Sequence, residues 1–426
     1  MRIIYKENNS RYLMKIYKSD LFLLLIILFF FQPVLVNFLN IFKYLDELIV
    51  LFVFIIIYFK HDIYFLNHEA IYFLLLFSLI AIGLIGNLIS DANQPVRAII
   101  QDILSNLKYP LFSIAIPYIS LSDLQKQRLS DGLSFFIRLL FFILFISAII
   151  SLFYDIGLSS GIRYGIKSFK FIYESPASLN AFYYLFMIIH SATLYKNNKL
   201  RKFSTLFTII GIIPWCLTLR SRSFGFASLY IIIYVYLIYI RKKNQVYKFK
   251  IYHVIFFSFI MILLCWDAIN KYFFESDKVA RYLLLHTSID ISKNYFPVGS
   301  GFGTFGTEAS REYYCNLYYK YGFDMIYGLN QETAKFITDQ FWFAILAQFG
   351  VLGLIIEAII IYKLLQRIWK VSNNNGVSNQ IAAITYIFTY FFGSLTAPTF
   401  IQATIIPSTA VIYLLNNIRK SSKRTN

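Results

Sequence analysis

The chain has 426 residues, of which 58% are hydrophobic and 15% are charged. A soluble core of this size cannot bury that much apolar surface, so the composition excludes an ordinary soluble domain and predicts that lipid is the solvent. The formal net charge of +18 does not indicate nucleic acid, because no basic stretch forms a soluble module and basic loops are typical of the cytoplasmic side of membrane proteins. The apolar runs are continuous and reach about 20 residues, which predicts an all-α polytopic membrane protein rather than a barrel.

Apolar runs of membrane length predict about twelve transmembrane helices in a single membrane domain, 1–426. The first run follows a basic segment without a small-residue cleavage pattern, so we expect a retained helix and not a removed signal peptide. An amphipathic piece, 96–108, precedes the run around Ile114 and is expected to lie partly in the membrane interface. The predicted helix centres are Leu28, Val53, Phe77, Ile114, Phe145, Phe186, Ile209, Ile233, Phe259, Ile355, Phe388 and Val411.

The distribution of lysine and arginine predicts the orientation. Basic residues concentrate in 2–18, 126–128, 196–202, 241–250, 363–370 and 419–424, and these segments alternate with less basic connections. The positive-inside rule therefore places both termini in the cytoplasm. It also makes residues 271–338 one large extracytoplasmic loop, inserted between late transmembrane helices. Because long loops in a compact protein are usually functional, we expect the chemistry there.

This loop contains a dense glycine cluster, and two short helices are predicted beside it, over 279–292 and 310–321. The spacing of the cluster matches a dinucleotide-binding fingerprint, but no strand precedes it and no βαβ unit surrounds it, so that function is excluded. Two alternatives stay open: a plain turn, or a backbone that closely approaches a ligand or a helix. The glycines are Gly299, Gly301, Gly303 and Gly306.

Four arginines are candidates for an anion site. Arg220 and Arg222 lie in a short connection that the orientation rule places outside, just before a predicted helix whose N-terminus would add backbone donors. Arg281 lies in the large loop, and Arg97 lies near the outer end of an earlier helix. The alternatives are side chains that reach the headgroup level and, for Arg281, an ordinary solvated charge.

His286 and Asp339 are the candidates for a general base. Either side chain has suitable chemistry to deprotonate a hydroxyl, whereas the alternatives are an exposed loop histidine and a helix N-cap. The three cysteines imply no disulfide framework. No HExxH motif, Cys/His metal spacing or GxSxG elbow occurs. Zinc, P-loop and classical hydrolase chemistry are therefore disfavoured, and neither a metal nor a cofactor is expected.

Three segments occur in a distinctive order: LTLRSRSFGFASLY from Leu217, RYLLLHTSIDISKNYFPVGSGFGTFG from Arg281, and ITDQFWFAILAQFGVLGLI from Ile337. With about twelve predicted spans, this order resembles the O-antigen polymerase and ligase superfamily of bacterial envelope polysaccharide assembly. Ligases of that superfamily typically have histidine where the large loop re-enters the membrane. This chain has Asp339 at that position, which favours a polymerase and disfavours a histidine-based mechanism.

The resemblance implies a metal-independent glycosyltransferase with a GT-C-like helical bundle in the bacterial inner (plasma) membrane. Its substrates would be oligosaccharides linked to undecaprenyl pyrophosphate, transferred at the outer face to the non-reducing end of a lipid-linked repeat unit. Membrane lipid, a chain-length regulator and a flippase of the same pathway are the implied partners. On this view Asp339, Arg281 and His286 are catalytic, and the residues that bind pyrophosphate are Arg220, Arg222, Arg281 and Arg97.

Three alternatives remain at this stage. An O-antigen ligase would need a lipid A core acceptor. A lipid-linked sugar flippase or other transporter would bury ionisable residues near the middle of the bilayer and would show two related halves. An accessory scaffold protein would tolerate replacement of the loop arginines.

Overall fold

The computed structural model describes residues 17–194, 203–242, 279–373 and 375–416, the backbone of 2–7 and 10–15, and isolated positions between 256 and 270. Within these ranges the side chains of 62–63 and 237–242 are not described. The predicted centre at Phe259 and residues 271–278 of the predicted loop therefore fall largely outside the described part of the chain. The described helices are α1 (Lys18–Val36), α2 (Leu45–His68), α3 (Ala70–Ile89), α4 (Val96–Ala115), α5 (Asp123–Phe153), α6 (Pro176–Thr193), α7 (Ser204–Cys216), α8 (Ser221–Lys242), α9 (Ala280–Asn294), α10 (Glu308–Glu312), α11 (Asn316–Lys320), α12 (Phe341–Asn373), α13 (Val377–Gly393) and α14 (Ile405–Asn416).

Several helices have the length and the apolar composition of membrane-spanning helices. Four of them, α1, α3, α5 and α12, are long and apolar enough to cross a bilayer, and α7 and α14 are shorter apolar helices. Large apolar side chains such as Phe59, Leu74 and Phe77 are exposed along α2 and α3, as expected where lipid covers the protein. Apart from Phe259, the predicted centres all lie inside described helices, although Ile114 is next to the end of α4.

The described structure is mostly helical, as predicted for an all-α membrane protein, and its short strands lie outside the helices. Two small antiparallel hairpins occur, β1 (Arg2–Glu7) with β2 (Ser10–Lys15), and β3 (Ser159–Arg163) with β4 (Ile166–Phe169). In the second hairpin, Tyr164 and Gly165 both have positive φ, the backbone geometry that tight two-residue hairpins require. The backbone N–H of Phe169 donates to Leu217 O at 2.9 Å, which attaches the hairpin to the end of α7. β1 and β2 precede α1, whereas β3 and β4 lie in the connection between α5 and α6. All four strands are too short to form an apolar run of membrane length.

Residues 279–340, called the insertion from here on, have a hydrophobic core of their own. It includes Leu284 and Ile291 of α9 together with Phe305, Tyr314 and Tyr318. Helix α9 matches the helix predicted over 279–292, whereas the helix predicted over 310–321 is divided into α10 and α11. The two buried tyrosines are therefore core residues of a folded unit.

Helix α12 is interrupted at Gly350, and the insertion completes its hydrogen bonding. Gly350 has φ 61° and ψ −164°, so the carbonyls of Ala347 and Gln348 do not receive the usual N–H groups four residues later. Ser300 N–H donates to Ala347 O at 2.9 Å, and Gly301 N–H donates to Gln348 O at 2.7 Å. In return, Leu352 N–H faces Pro297 O at 3.5 Å. The kink and the glycine segment thus satisfy each other's buried backbone groups.

The same glycine segment is fixed to α3 and α4. The side-chain amide of Asn87 accepts from Phe302 N–H and donates to Phe302 O, both at 2.9 Å. Gly303 N–H donates to Asp102 Oδ2 at 2.7 Å. Of the two alternatives left open by the sequence, the structure thus shows close approach of the segment to helices.

Replacing Gly301 by Ala is expected to destabilise the protein by about 2–5 kcal/mol, the sum of backbone strain and overpacking. Gly301 has φ 91°, and a Cβ there would lie 2.3 Å from Asn87 N. Gly376 has φ 90° with open space around it, so Gly376→Ala is a matched control that carries only the strain, about 1–2 kcal/mol. Thermal unfolding in detergent measures both, and equal shifts would contradict the packing described above.

Candidate functional site: a polar cavity beside the insertion

The structure brings Arg281 and Asp339 together. Arg281 lies in the first turn of α9, and Asp339 lies in the bend before α12. Arg281 Nη2 donates to Asp339 Oδ2 at 3.1 Å, and Gln340 Nε2 donates to Arg281 O at the same distance. The carboxylate remains about one-third exposed. The pair therefore joins the two ends of the insertion, and the Asp339 carboxylate stays partly accessible.

His286 is not part of this pair. It lies five residues after Arg281 on the same helix, a rotation of about 140° around the axis. Its ring is exposed and contacts Tyr282, with the ring centroids 4.1 Å apart. This geometry corresponds to the exposed-histidine alternative.

Arg222 contacts residues 394–404, the connection between α13 and α14, and this connection also contacts the start of α12. Arg222 Nη1 donates to Thr396 O at 3.3 Å. In the same connection, Ser394 accepts from Phe341 N–H at 3.4 Å and from Trp342 Nε1 at 2.8 Å. The start of α8 and the start of α12 are thus tied to one segment.

The remaining two arginines occupy different surroundings. Arg220 is partly buried just before α8, two residues from Arg222. Arg97 is exposed in the first turn of α4. It takes no part in the contacts described above for Arg222, Arg281 and residues 394–404. Three of the four candidate arginines therefore lie at segments connected to the start of α12.

A cavity of about 330 Å³ lies between α1, α2, α4, α10 and the 394–404 connection. Its volume is at the lower end of the range for ligand pockets. Thr338, the neighbour of Asp339, forms part of its wall, but none of the candidate arginines does. The side chains that give the cavity its chemistry are the carboxylates Asp46, Glu47, Asp102 and Glu308, the lysines Lys43 and Lys108, and the amides Gln32, Gln101 and Gln402.

Lys108 holds one wall of the cavity together. Its ammonium group pairs with the carboxylate of Asp46 and, at 2.8 Å, with Glu47 Oε1. The side chains of Lys108 and Asp46 are 6% and 3% exposed, so these are buried ion pairs and not surface ones. A buried charge requires such partners, and the pairing fixes the start of α2 to α4.

A second ion pair ties the insertion to the cavity. Lys43 Nζ contacts Glu312 Oε2 at 2.6 Å, and Gln101 Nε2 donates to the same oxygen at 3.1 Å. The hydrogen bond from Lys43 lowers the pKa of Glu312 below its usual value of 4.5, and Gln101 adds to this effect. Burial alone would lower the pKa of Lys43, but the bond to Glu312 raises it. Both groups are therefore held in their charged forms at neutral pH.

The candidate residues of the sequence do not include four charged residues that line the cavity, Asp46, Glu47, Asp102 and Lys108. Ionisable residues next to or within membrane-length apolar runs were the available signal. Asp46 and Glu47 begin one such run, and Asp102 and Lys108 lie in the amphipathic piece. In the described part of the chain, no group of three or more His, Cys, Asp or Glu side chains is arranged to hold a metal ion.

Replacing Lys108 by Met is expected to destabilise the protein by about 3–5 kcal/mol, because two carboxylates would remain in the wall without their shared partner. Lys126→Met is the matched control. Lys126 contacts Asp123 at 3.5 Å, and that carboxylate is 97% exposed, so the expected loss is at most about 1 kcal/mol. Thermal unfolding in detergent compares the two. A Lys108 variant as stable as the control would contradict the buried pairing.

The Lys43–Glu312 contact predicts a dependence on pH. Because the folded-state pKa of Glu312 lies below the usual 4.5, its stabilising contribution is fully present above pH 4.5 and is lost as the pH falls through the lower value. Hydrogen exchange of α10, measured from pH 5 downward, should show this loosening after correction for the intrinsic exchange rate. Glu312→Gln should remove the pH-dependent part, and an unchanged profile in that variant would contradict the assignment.

No protein-family model, no curated protein and no solved structure matches this chain. The function is therefore argued from the geometry of these residues and from the resemblance noted in the sequence.

Proposed function

We propose that the protein is a polymerase of lipid-linked glycan repeat units in the bacterial inner membrane. It has about twelve transmembrane helices, cytoplasmic termini and the insertion on the outer side. The glycan is transferred from undecaprenyl pyrophosphate to the non-reducing end of a second lipid-linked unit. The observation that carries the proposal is the position of the Arg281–Asp339 pair, next to the wall of a polar cavity of ligand size.

The distribution of charged side chains indicates that the sugar and the diphosphate of the substrate bind in two different regions. The cavity is lined by four carboxylates and two lysines, which disfavours a diphosphate but suits the hydroxyl groups of a sugar. Carboxylates accept hydrogen bonds from such hydroxyls, and amides both donate to them and accept from them. Arg220, Arg222 and Arg281 have the fork geometry that binds phosphate oxygens. Sugar binding is therefore assigned to the cavity and diphosphate binding to the guanidinium groups outside it.

The chemistry needs one base and one stabiliser of negative charge. Asp339 takes the proton of the attacking sugar hydroxyl, whose oxygen forms the bond to the anomeric carbon of the donor. The bond from that carbon to the diphosphate oxygen breaks, and the diphosphate leaves with the electron pair. Fixed guanidinium groups stabilise the developing charge where water is partly excluded. Arg281 also orients the Asp339 carboxylate through the 3.1 Å contact.

A transporter of lipid-linked sugars is the second candidate. Glu357 is a buried carboxyl on α12, one of the helices long enough to span a membrane. Ionisable residues inside membrane helices are typical of transport and proton pathways. A transporter would move the lipid-linked unit across the bilayer without forming a glycosidic bond.

The decisive assay uses the full chain in nanodiscs with undecaprenyl-pyrophosphate oligosaccharide as both donor and acceptor, without nucleotide sugar. We expect elongation by the wild type and a loss of about 10²–10³-fold in rate for Arg222→Ala, Arg281→Ala and Asp339→Asn. Arg163→Ala, which changes an exposed arginine of β3, is the control and should retain the rate.

One outcome would overturn the assignment of the residues, and two would overturn the polymerase. Equal rates in all variants would remove these residues from the site. Transfer only to an added lipid A core would identify a ligase. Translocation of the lipid-linked unit in proteoliposomes, without any elongation, would identify a transporter.

A further inference from the structure

The face of α4 that is buried in the bundle is polar over most of its length. Asp102, Asn106, Tyr109 and Ser113 follow each other at spacings of four, three and four residues, which places them on one side of a helix. None of them is more than 7% exposed. The stripe extends for about 16 Å along the helix axis. Buried ionisable side chains in membrane helices usually mark a functional path, so a stripe that begins with an aspartate requires an explanation.

One end of the stripe opens into the cavity. Asp102 forms part of the cavity wall, and its carboxylate accepts the N–H of Gly303. One turn further, Asn106 Nδ2 donates to Asp102 O at 2.9 Å. The polar groups are thus continuous from the cavity into the bundle.

Beyond the cavity, α4 packs against α12, the helix that carries Glu357. Glu357 is 4% exposed, and its Oε2 accepts no hydrogen bond within the described part of the chain. The Tyr109 hydroxyl and Ser113 Oγ of α4 are, like Glu357 Oε2, buried without a hydrogen-bond partner in the described part of the chain. Helix α4 therefore carries a row of buried polar groups from the cavity into its packing against the helix of the buried acid.

In the described part of the chain, no basic side chain forms an ion pair with Glu357. Along its own helix, Lys363 lies six residues away, a rotation of about 120° around the axis. Arg367, ten residues away, is held by Glu69, with its Nη1 and Nη2 at 3.0 and 2.8 Å from the two carboxylate oxygens. An unpaired carboxylate in an apolar interior is very costly, whereas a protonated carboxyl is neutral and can donate a hydrogen bond. The titratable groups on the helices packed around α12 are Tyr72 of α3, with Glu69 directly before that helix, Arg97, Asp102, Lys108 and Tyr109 of α4, Arg281, Tyr282, His286, Asp290 and Lys293 of α9, Tyr386 and Tyr390 of α13, and Tyr413 of α14.

We propose that Glu357 is a proton-binding site, and that the polar face of α4 connects it with the cavity. The proton enters from the cavity past Asp102 and Asn106 and reaches the Glu357 carboxyl through the hydroxyl of Tyr109. This assignment is independent of glycosyl transfer, because it uses neither Asp339 nor the candidate arginines. The proton is then the ligand of the buried acid, and the polar stripe is the path along which the proton moves.

Infrared spectroscopy of the full chain in nanodiscs tests the site directly. A protonated carboxyl has a C=O stretching band that is separate from that of a carboxylate, and it shifts when the proton is exchanged for deuterium. We expect such a band at pH 6–7 in the wild type and its loss in Glu357→Gln. No difference between the wild type and Glu357→Gln would overturn the site, and loss of the band on addition of NaCl at constant pH would overturn the proton as its ligand.

The rate of the deuterium shift after transfer to heavy water tests the path. Tyr109→Phe removes only the hydroxyl and should slow the shift of the Glu357 band about tenfold, as expected for loss of one hydrogen bond in the relay. Tyr183→Phe is the matched control, because Tyr183 is equally buried and lies on α6. Equal exchange rates in the two variants would overturn the connection, even if Glu357 carries the proton.

Discussion

The structure depends on one constraint, that backbone polar groups away from water must find partners within the protein. The kink of α12 at Gly350 breaks this rule locally, and the segment 297–301 restores it by donating to Ala347 and Gln348. The insertion is thus joined to the bundle by backbone hydrogen bonds and not only by side-chain packing. Asn87 and Asp102 extend the same attachment to α3 and α4. Movement of this segment would expose several buried groups at once, so it acts as a fixed part of the bundle and not as a lid.

Charge is distributed unevenly around the insertion end of the bundle. The cavity has an excess of carboxylates, and its two lysines are both engaged in ion pairs. The arginines lie at the segments that meet near the start of α12. The proposed substrate combines a neutral sugar with a diphosphate, and each part would meet groups of suitable chemistry in this arrangement. The buried carboxyl of Glu357 belongs to neither region, which is why it supports a separate ionic role.

The sequence predicted those features that depend on composition and local pattern. Apolar runs located the helices, and the order of polar motifs placed Arg281 and Asp339 near the boundaries of one insertion, where the structure pairs them. Single residues were harder to place. His286 shares a helix with Arg281, but the five-residue spacing turns it away. Partners distant in the sequence, such as Lys108 with Asp46 and Glu47, become visible only when α2 and α4 are packed together. The β3–β4 hairpin was missed because its strands are too short to produce an apolar run.

The 394–404 connection belongs to two environments at once. Through Thr396 it contacts Arg222, and through 398–403 it forms part of the cavity wall. A ligand that immobilises this connection from one side reduces the conformational entropy that a ligand on the other side must still remove. When separate ligands are used, such as a free sugar for the cavity and a free diphosphate for the arginines, their binding is therefore expected to be positively cooperative, with an affinity for each that rises when the other is present.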